Sequence, residues 1–508
     1  MALTNTYTRK IILLIIIASA IKLIASPFLE LGNDEVYYWT YALRPDWNYF
    51  DHPPMVGLLI RFTTFNLNWV SELSIRLGSV VCAAISTWFI FKTGKLISNE
   101  RVGWYAALLY TSSIYTTFIA GFFILPDSPQ MPFYTAALYV MVHIIQKRNE
   151  VNSWSTWLVL GLLIGLAALC KVHGLFLWVG FGLFMLIKRR DWLLNPRLYI
   201  AGIISVLCLL PILYWNIQND FITYKFHSGR VTHSGINIES FGRELIGEFA
   251  YQNPIIYVLI IIAIISFLRG GLRFRQSRVK VWIFSMSIPM LLVFWGIALR
   301  NPTLPHWSGP AFIPLFFLAA LWLDKNAKRS VPISIAVSFV FIIFTLIGTT
   351  AIVQFAPRNF GSQDKENYGE YCPTLDLSGW KGFAKSFDSL RSKDITEKIM
   401  KPDDPIITNK WFPGAHIEFY VARPLKMNLI GMGELTDLHQ FIWLNKDRPK
   451  LVNSGDAYLI VPSNIPLDVL SAYSKVFHVI EKPVIINQIR SGVVVRYFYV
   501  YRMRGYRG

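Results

Sequence analysis

The sequence predicts a polytopic α-helical membrane protein, with about eleven transmembrane helices over residues 1–355 and a soluble α/β domain over 356–508. Three observations carry that prediction. The 508 residues are 54% hydrophobic and only 16% charged, more apolar surface than a soluble chain of this length needs to bury. The apolar residues fall in blocks near the ~20 residues that cross a hydrocarbon core of ~30 Å, among them Ile11 to Ala25, Tyr257 to Leu268 and Val331 to Val353. From about residue 356 the blocks stop, and short β-like runs separated by Pro, Gly, Asn and Asp take over.

Such blocks cross as helices because hydrocarbon offers the backbone no other hydrogen-bond partner. In chain order they are expected near 11–30, 74–97, 101–123, 129–146, 154–170, 174–187, 198–215, 254–268, 281–299, 308–323 and 331–354. The first block follows Arg9 and Lys10 as a signal peptide would. No small-residue cleavage site precedes Pro27, so it is read as a retained helix. In the tail, the runs starting at Asp404, His416, Leu425, Asp456, Phe477 and Gly492 are expected strands, and Thr436 to Lys446 a short helix. A domain of about 150 residues is large enough to bury its own core.

Basic residues set the expected orientation. With the N-terminus cytoplasmic, nineteen lysines and arginines fall on inner connections of residues 1–355, Arg273 and Arg275 among them, against seven on outer ones. The positive-inside rule then favours N-in and, with an odd number of spans, an extracytoplasmic tail. The same bias accounts for most of the net charge of +18, so a nucleic-acid footprint is the poorer reading of it. Eleven of the fifteen acidic residues in this region lie on the outer side, as do the long loops 31–73 and 216–253, and function is sought there. The four cysteines, Cys82, Cys170, Cys208 and Cys372, suggest neither a disulfide framework nor a cysteine metal site. No phosphate-cradling glycine loop, dinucleotide turn or zinc-protease helix motif is present, which argues against a nucleotide cofactor.

Several outer segments carry groups that could do chemistry. Asp34 and Glu35 follow the first span directly, and Val36 to Tyr41 offer an aromatic stretch suited to the membrane interface. An acidic pair there is either functional or a solvated helix end. Phe50 to Pro54 places Asp51 and His52 before two prolines that fix the backbone. That pair could bind a divalent cation or a phosphate, or simply start an interfacial helix. Asp127 sits at the outer end of the third span, and Lys171 with His173 in another outer turn. The lysine alone could snorkel, but four outer turns with ionisable groups at similar depth suggest a shared polar cavity. The loop after Tyr214 offers Lys225, His227, Arg230 and His233, where arginine could grip a phosphate bidentately. His306 and Trp307 lie at the tenth span's outer end, the tryptophan reading first as an interface-belt residue.

Taken in order, these segments resemble the bacterial branch of the dolichyl-phosphate-mannose protein mannosyltransferase superfamily. That branch includes lipid A aminoarabinose transferase and belongs to the GT-C glycosyltransferases. The resemblance rests on Asp34 and Glu35, Phe50 to Pro54, Pro126 and Asp127, Cys170 to Gly174, Tyr214 to Arg230 and Pro305 to Trp307. It implies a polytopic GT-C fold and an inverting transfer of sugar from a polyprenyl-phosphate carrier to a lipid A, glycan, lipid or protein acceptor. Asp34 would be the general base and Glu35 its neighbour in the motif. His52, Lys171, Arg230 and Lys225 would meet the donor phosphate, and Asp127, His306 and Trp307 would line the cavity. Relatives often carry glutamate and lysine where this chain has Asp51 and His52; Asp51 matches a carboxylate that holds a metal in some of them, which implies a possible divalent ion. The implied location is a bacterial inner membrane with the tail periplasmic. The competing classes are a lipid or glycan flippase and a non-catalytic glycan-binding membrane protein. Outer-loop concentration of the candidates, without visible repeats, disfavours the flippase, and an intact Asp34 disfavours the binding protein.

Overall fold

The computed structural model describes residues 2–230, 235–272 and 277–508, so His233, Arg273 and Arg275 lie outside the described residues. Its contacts divide the chain into two units: Met1–Ser26 with Asp46–Thr345, and Pro27–Pro45 with Leu346–Gly508. The second unit thus takes in part of the first outer loop as well as the tail.

The first unit is helical. It holds α1 (Ala2–Ala25); after α2 (Asn33–Leu43) of the other unit come α3 (Met55–Thr63), α4 (Glu72–Ile97) and α5 (Glu100–Ser112). Next are α6 (Asp127–Gln146), α7 (Trp154–Cys170), α8 (Phe176–Lys188), α9 (Pro196–Gln218) and the short α10 (Ile222–Gly229). Then follow α11 (Ile238–Tyr251), α12 (Pro254–Leu268), α13 (Ser277–Ala298), α14 (Ile313–Asn326) and α15 (Ile333–Phe355), the last shared between the units. The starts follow local chemistry. Ser71 caps α4 by accepting from Ser74 N at 3.1 Å and Asn99 caps α5 by accepting from Val102 N at 2.9 Å. Asn195 and Asn253 cap helices whose first residue is proline, Pro196 and Pro254. Small residues let the helices approach: a Cβ on Gly161 of α7 would stand 2.3 Å from the Ala201 carbonyl oxygen of α9.

Helix covers each of the eleven predicted spans, although 101–123 breaks after Ser112 into a π-helical turn at Tyr115–Ile119. Among the described residues, five helices are long and apolar enough to cross a membrane by length and composition. A sixth is added if α11 and α12, bent by 100° at their junction, are one span.

The second unit holds α2, the end of α15, α16 (Trp380–Thr396), α17 (Trp411–Ile417) and a six-stranded sheet. The strands are β1 (Ile406–Thr408), β2 (Leu429–Gly431), β3 (Ala457–Pro462), β4 (Phe477–Ile480), β5 (Val484–Arg490) and β6 (Val493–Tyr506). Their order is β2-β1-β3-β6-β4, with β5 also on β6; β1 is parallel to β2 and β3, and the rest pair antiparallel to β6. Two expectations are corrected here. His416 to Ala422 is the end of α17 and a π-helical turn, not a strand, and every residue from Pro413 to Ala422 is buried. Packing on all sides overrides the β preference of Ile417, Phe419 and Val421. The aromatic face of α2 is not presented to a membrane interface: Val36 to Ala42 are buried, with Trp39 edge-on to Phe419 at 4.9 Å and Tyr37 4.9 Å from Trp411.

Candidate active site

The candidate residues divide between the two units: Asp34 and Glu35 in the second, the others in the first. In the first unit the centre is a buried ion pair. Lys171 ends α7 in extended backbone, which turns its side chain out of the helix path. Its Nζ donates to both oxygens of Asp127, at 3.0 and 2.8 Å, with the two residues 4% and 1% exposed. Lys171 therefore does not snorkel. Tyr115 Oη donates to Asp127 Oδ1 at 2.8 Å, and Gln130 Nε2 donates to the Lys171 carbonyl at 2.7 Å, tying α6 to the end of α7. Gly309 has to be glycine, since a Cβ there would lie 2.5 Å from the Tyr115 ring. Two charges this deep persist because each satisfies the other and further hydrogen bonds use the remaining lone pairs.

Three imidazoles, of His52, His173 and His306, stand within electrostatic reach of this pair. Burial pushes His52 down to about 4, aided by the charges of His227 and Lys171 and opposed by Asp51 and Asp127. His306 is likewise lowered to about 4 by burial and Lys171. Both rings are neutral at physiological pH, so the fixed positive charge here belongs to Lys171. The Asp51–His52 turn is fastened to α10: His227 Nε2 donates to the Asp51 carbonyl at 2.7 Å, and His227 and His52 rings meet edge-on at 6.0 Å. Thr223 Oγ1 donates to the Tyr49 carbonyl at 3.1 Å, and Phe226 packs on Phe50 at 4.8 Å. At the end of α10 the exposed Arg230 places its guanidinium 5.3 Å from the Phe226 ring and 5.4 Å from the Trp307 ring. Two aromatic faces thus orient a cation whose hydrogen-bonding edge meets no partner among the described residues. Lys225 is exposed on the same helix.

In the second unit Asp34 is an exposed carboxylate in the first turn of α2, where the helix dipole favours negative charge. Glu35 is buried and its Oε2 accepts from Gly32 N at 3.0 Å, so it caps the helix that carries Asp34. The preceding residues are held one after another. Glu30 accepts from Trp380 N and Lys381 N at 2.7 and 3.0 Å, and Leu31 N donates to Tyr420 Oη at 2.7 Å. His416 Nε2 donates to the carbonyls of Leu31 and Asp376 at 3.0 and 3.1 Å, and Asn33 Nδ2 donates to Asp376 Oδ2 at 2.8 Å. Burial holds Asp376 up at about 6 and His416 down at about 3. Arg496, fully buried and lowered to about 9 by that burial, lies 4.5 Å over the Trp380 ring and donates to the Ser378 carbonyl at 2.8 Å.

Sequence reasoning missed Tyr115, Gln130, Glu30, Asp376, His416 and Arg496. Only Glu30, a lone carboxylate in an apolar run, carried a local signal; the others act through partners from 12 to several hundred positions away. It also missed Glu244 and Glu248, buried on one face of α11, where Glu244 accepts from Thr303 Oγ1 at 2.6 Å and Glu248 from Trp295 Nε1 at 3.1 Å. Among the described residues no three His, Cys, Asp or Glu side chains gather as a metal site. The residues around Asp51 do not by themselves fit a divalent ion.

Several apolar helices with a C-terminal sheet unit make a GT-C-like fold. The backbone superposes on ArnT from Cupriavidus metallidurans bound to undecaprenyl phosphate with a TM-score of 0.60, covering 96% of this chain and 97% of that one at 14% identity. Arabinofuranosyltransferase AftD from Mycobacteria gives 0.51, at 12% identity over 97% of this chain and 40% of that one. At the sequence level, residues 51–215 match the model of the dolichyl-phosphate-mannose-protein mannosyltransferase family. The lipid A galacturonosyltransferase RgtD of Rhizobium johnstonii is 26% identical over 322 residues, 62% of this chain and 66% of its own length, just under two thirds. The family resemblance read from the ordered motifs is therefore borne out.

Proposed function

We propose that this chain is a GT-C membrane glycosyltransferase that moves a sugar from a polyprenyl-phosphate carrier to a lipid A-type acceptor on the extracytoplasmic face. The observation that carries the reading is the buried Lys171–Asp127 pair, in the same unit as the aromatic-clamped Arg230 and the family match. Fixed cations there suit a lipid-linked phosphate. The kinship to a lipid A galacturonosyltransferase and the likeness in fold to a protein crystallised with undecaprenyl phosphate support the same donor and acceptor classes.

The chemistry needs few groups. A phosphate on the anomeric carbon is a competent leaving group once its charge is met, so Arg230 and the ammonium of Lys171 replace protonation of the leaving oxygen. The neutral imidazole of His52 can donate one hydrogen bond to the same phosphate, and exposed Lys225 adds long-range attraction. Asp34 takes the acceptor hydroxyl proton while that oxygen bonds to the anomeric carbon and the carbon–phosphate oxygen bond breaks. A single displacement inverts the configuration. His306 and Trp307 shape the wall that the sugar meets, and Asp127 holds Lys171 in place. No step passes through a metal; for Asp51 the narrower proposal is that donor phosphate supplies the ligands the protein lacks. Chelation that slows the wild type but not Asp51→Asn would assign it that role.

The test is purified protein in detergent with synthetic polyprenyl-phosphate-linked sugars and lipid A. Mass-resolved transfer of one sugar, with inverted anomeric configuration, is the expected result. Release of no sugar from any such donor, by protein shown to be monodisperse, removes the reading.

A further inference from the structure

The second unit contains a polar cavity that the transfer chemistry does not use. It measures about 360 Å³ and lies between the last turn of α15, at Val353 and Gln354, the start of α16, at Gly382 and Ser386, and the end of β5, at Gln488 and Arg490. Arg490 is 4% exposed. Its Nη1 donates to the Ile352 carbonyl at 3.2 Å and Thr374 Oγ1 at 3.0 Å, and Ser491 Oγ donates to the Phe355 carbonyl at 2.8 Å. These bonds satisfy carbonyls that the end of a helix leaves open. Capping the helix occupies one nitrogen only: Nε and Nη2 make no hydrogen bond among the described residues. A buried guanidinium with two donors unspent is costly unless something meets them. Burial without a carboxylate partner also draws Arg490 below the usual arginine range.

The lining points to the chemistry of what meets it. Arg490 is its one charged residue, no carboxylate lines the cavity, and Gln354, Ser386 and Asn487 add hydrogen-bonding groups. Beside it, Ile352 and Phe355 of α15 and Ile485 and Ile489 of β5 are exposed apolar side chains. α15 is among the helices long and apolar enough to span a membrane, so its last turn stands where acyl chains give way to headgroups. We propose that this cavity binds the phosphate of an anionic phospholipid headgroup, with Arg490 as the fork on the phosphate and the apolar rim on its acyl chains. An anion pairing bidentately with arginine uses the two idle nitrogens, and the rim distinguishes a lipid from free phosphate.

The experiment uses the full chain, delipidated in detergent and titrated with dihexanoyl phosphatidylglycerol under native mass spectrometry. Parallel arms use dihexanoyl phosphatidylcholine and inorganic phosphate. Arg490→Gln should weaken phosphatidylglycerol binding about tenfold, the scale of one charge-assisted pair, while Arg490→Lys retains part of it. Because Arg490→Gln removes a buried cap and the variant could unfold, Gly382→Leu gives an independent arm. Gly382 lines the cavity and a Cβ there meets nothing within 4 Å, so leucine adds apolar bulk at the lining without a backbone clash. It should weaken binding to the same extent while leaving the protein monodisperse. Undiminished phosphatidylglycerol binding by Gly382→Leu overturns the proposal. Competition by inorganic phosphate as strong as by the lipid, or equal binding of the zwitterionic lipid, overturns the assignment to an anionic headgroup.

Discussion

Asp34 and Arg230 are both exposed, yet each is prepared by neighbours that are not. Asp34 rides on a helix capped by Glu35, behind a loop whose residues are tied down in sequence. On the proposed mechanism, that support positions Asp34 as the base. Asp34→Asn keeps the size and removes the acceptor, so turnover should fall by roughly 10² to 10⁴, the scale of a positioned base. The melting temperature should hardly move, because an exposed carboxylate contributes little to stability. Near-normal transfer by well-folded Asp34→Asn protein would assign the proton elsewhere. For Arg230 the discriminating comparison is between two substitutions. Arg230→Lys keeps charge but loses the planar fork and its stacking between Phe226 and Trp307, and Arg230→Ala loses both. The donor KM should rise in both, more in the alanine variant; unchanged donor saturation in both would take Arg230 off the phosphate.

Elements show why some of this could be read from the chain and some could not. Outer-loop motifs at Asp34, Asp51, Asp127, Lys171 and Arg230 stood out because charged residues between apolar blocks are conspicuous. Which of them touch was hidden, since Asp127 meets Lys171 only when α6 packs on α7. Strands β3, β5 and β6 were legible from their β-branched and aromatic runs, whereas the stretch after His416 misled because burial on every side favours no alternation. The clamp that fixes the loop before α2 had no local signature, being assembled from residues near 30, 376, 416 and 496. It has a measurable pH behaviour. His416, lowered to about 3, stays neutral as the unfolded chain takes up a proton near 6.5, so it costs stability on acidification. Asp376, raised to about 6, takes up its proton in the folded state before the unfolded chain does, so it adds stability on acidification. The two oppose each other between about pH 6 and 4. Asp376→Asn removes the offset, and the stability difference between wild type and variant should then grow by about 1.4 kcal/mol per pH unit below pH 6. Thermal unfolding from pH 7 to 4 measures it; parallel curves would mean that Asp376 titrates as an ordinary exposed carboxylate.

At the scale of the whole molecule the distribution of charge constrains how many helices cross. Among the described residues five helices pass on length and composition, six with the bent α11–α12 pair counted as one, while α7 and α8 are apolar but shorter. Short helices cross when their neighbours cover them, and α7 is pressed against α9 through Gly161, closer than any larger residue allows. If all eleven helical segments cross, the parity is odd and the N-terminus and the sheet unit lie on opposite faces. The nineteen-to-seven bias of basic residues then places Lys325, between α14 and α15, in the cytoplasm. α15 is 23 residues long with no charged residue, and if it crosses, its two sides differ in compartment whatever the rest of the bundle does. Reporter fusions therefore give a graded answer. A fusion at Lys325 should read cytoplasmic and one after Gly361 extracytoplasmic. The reverse pattern would preserve α15 as a span and show an error in the parity of the ten segments before it. A cytoplasmic reading at both positions would mean that α15 does not cross and that the spans are miscounted, and would put the sheet unit on the face where no lipid-linked donor is expected.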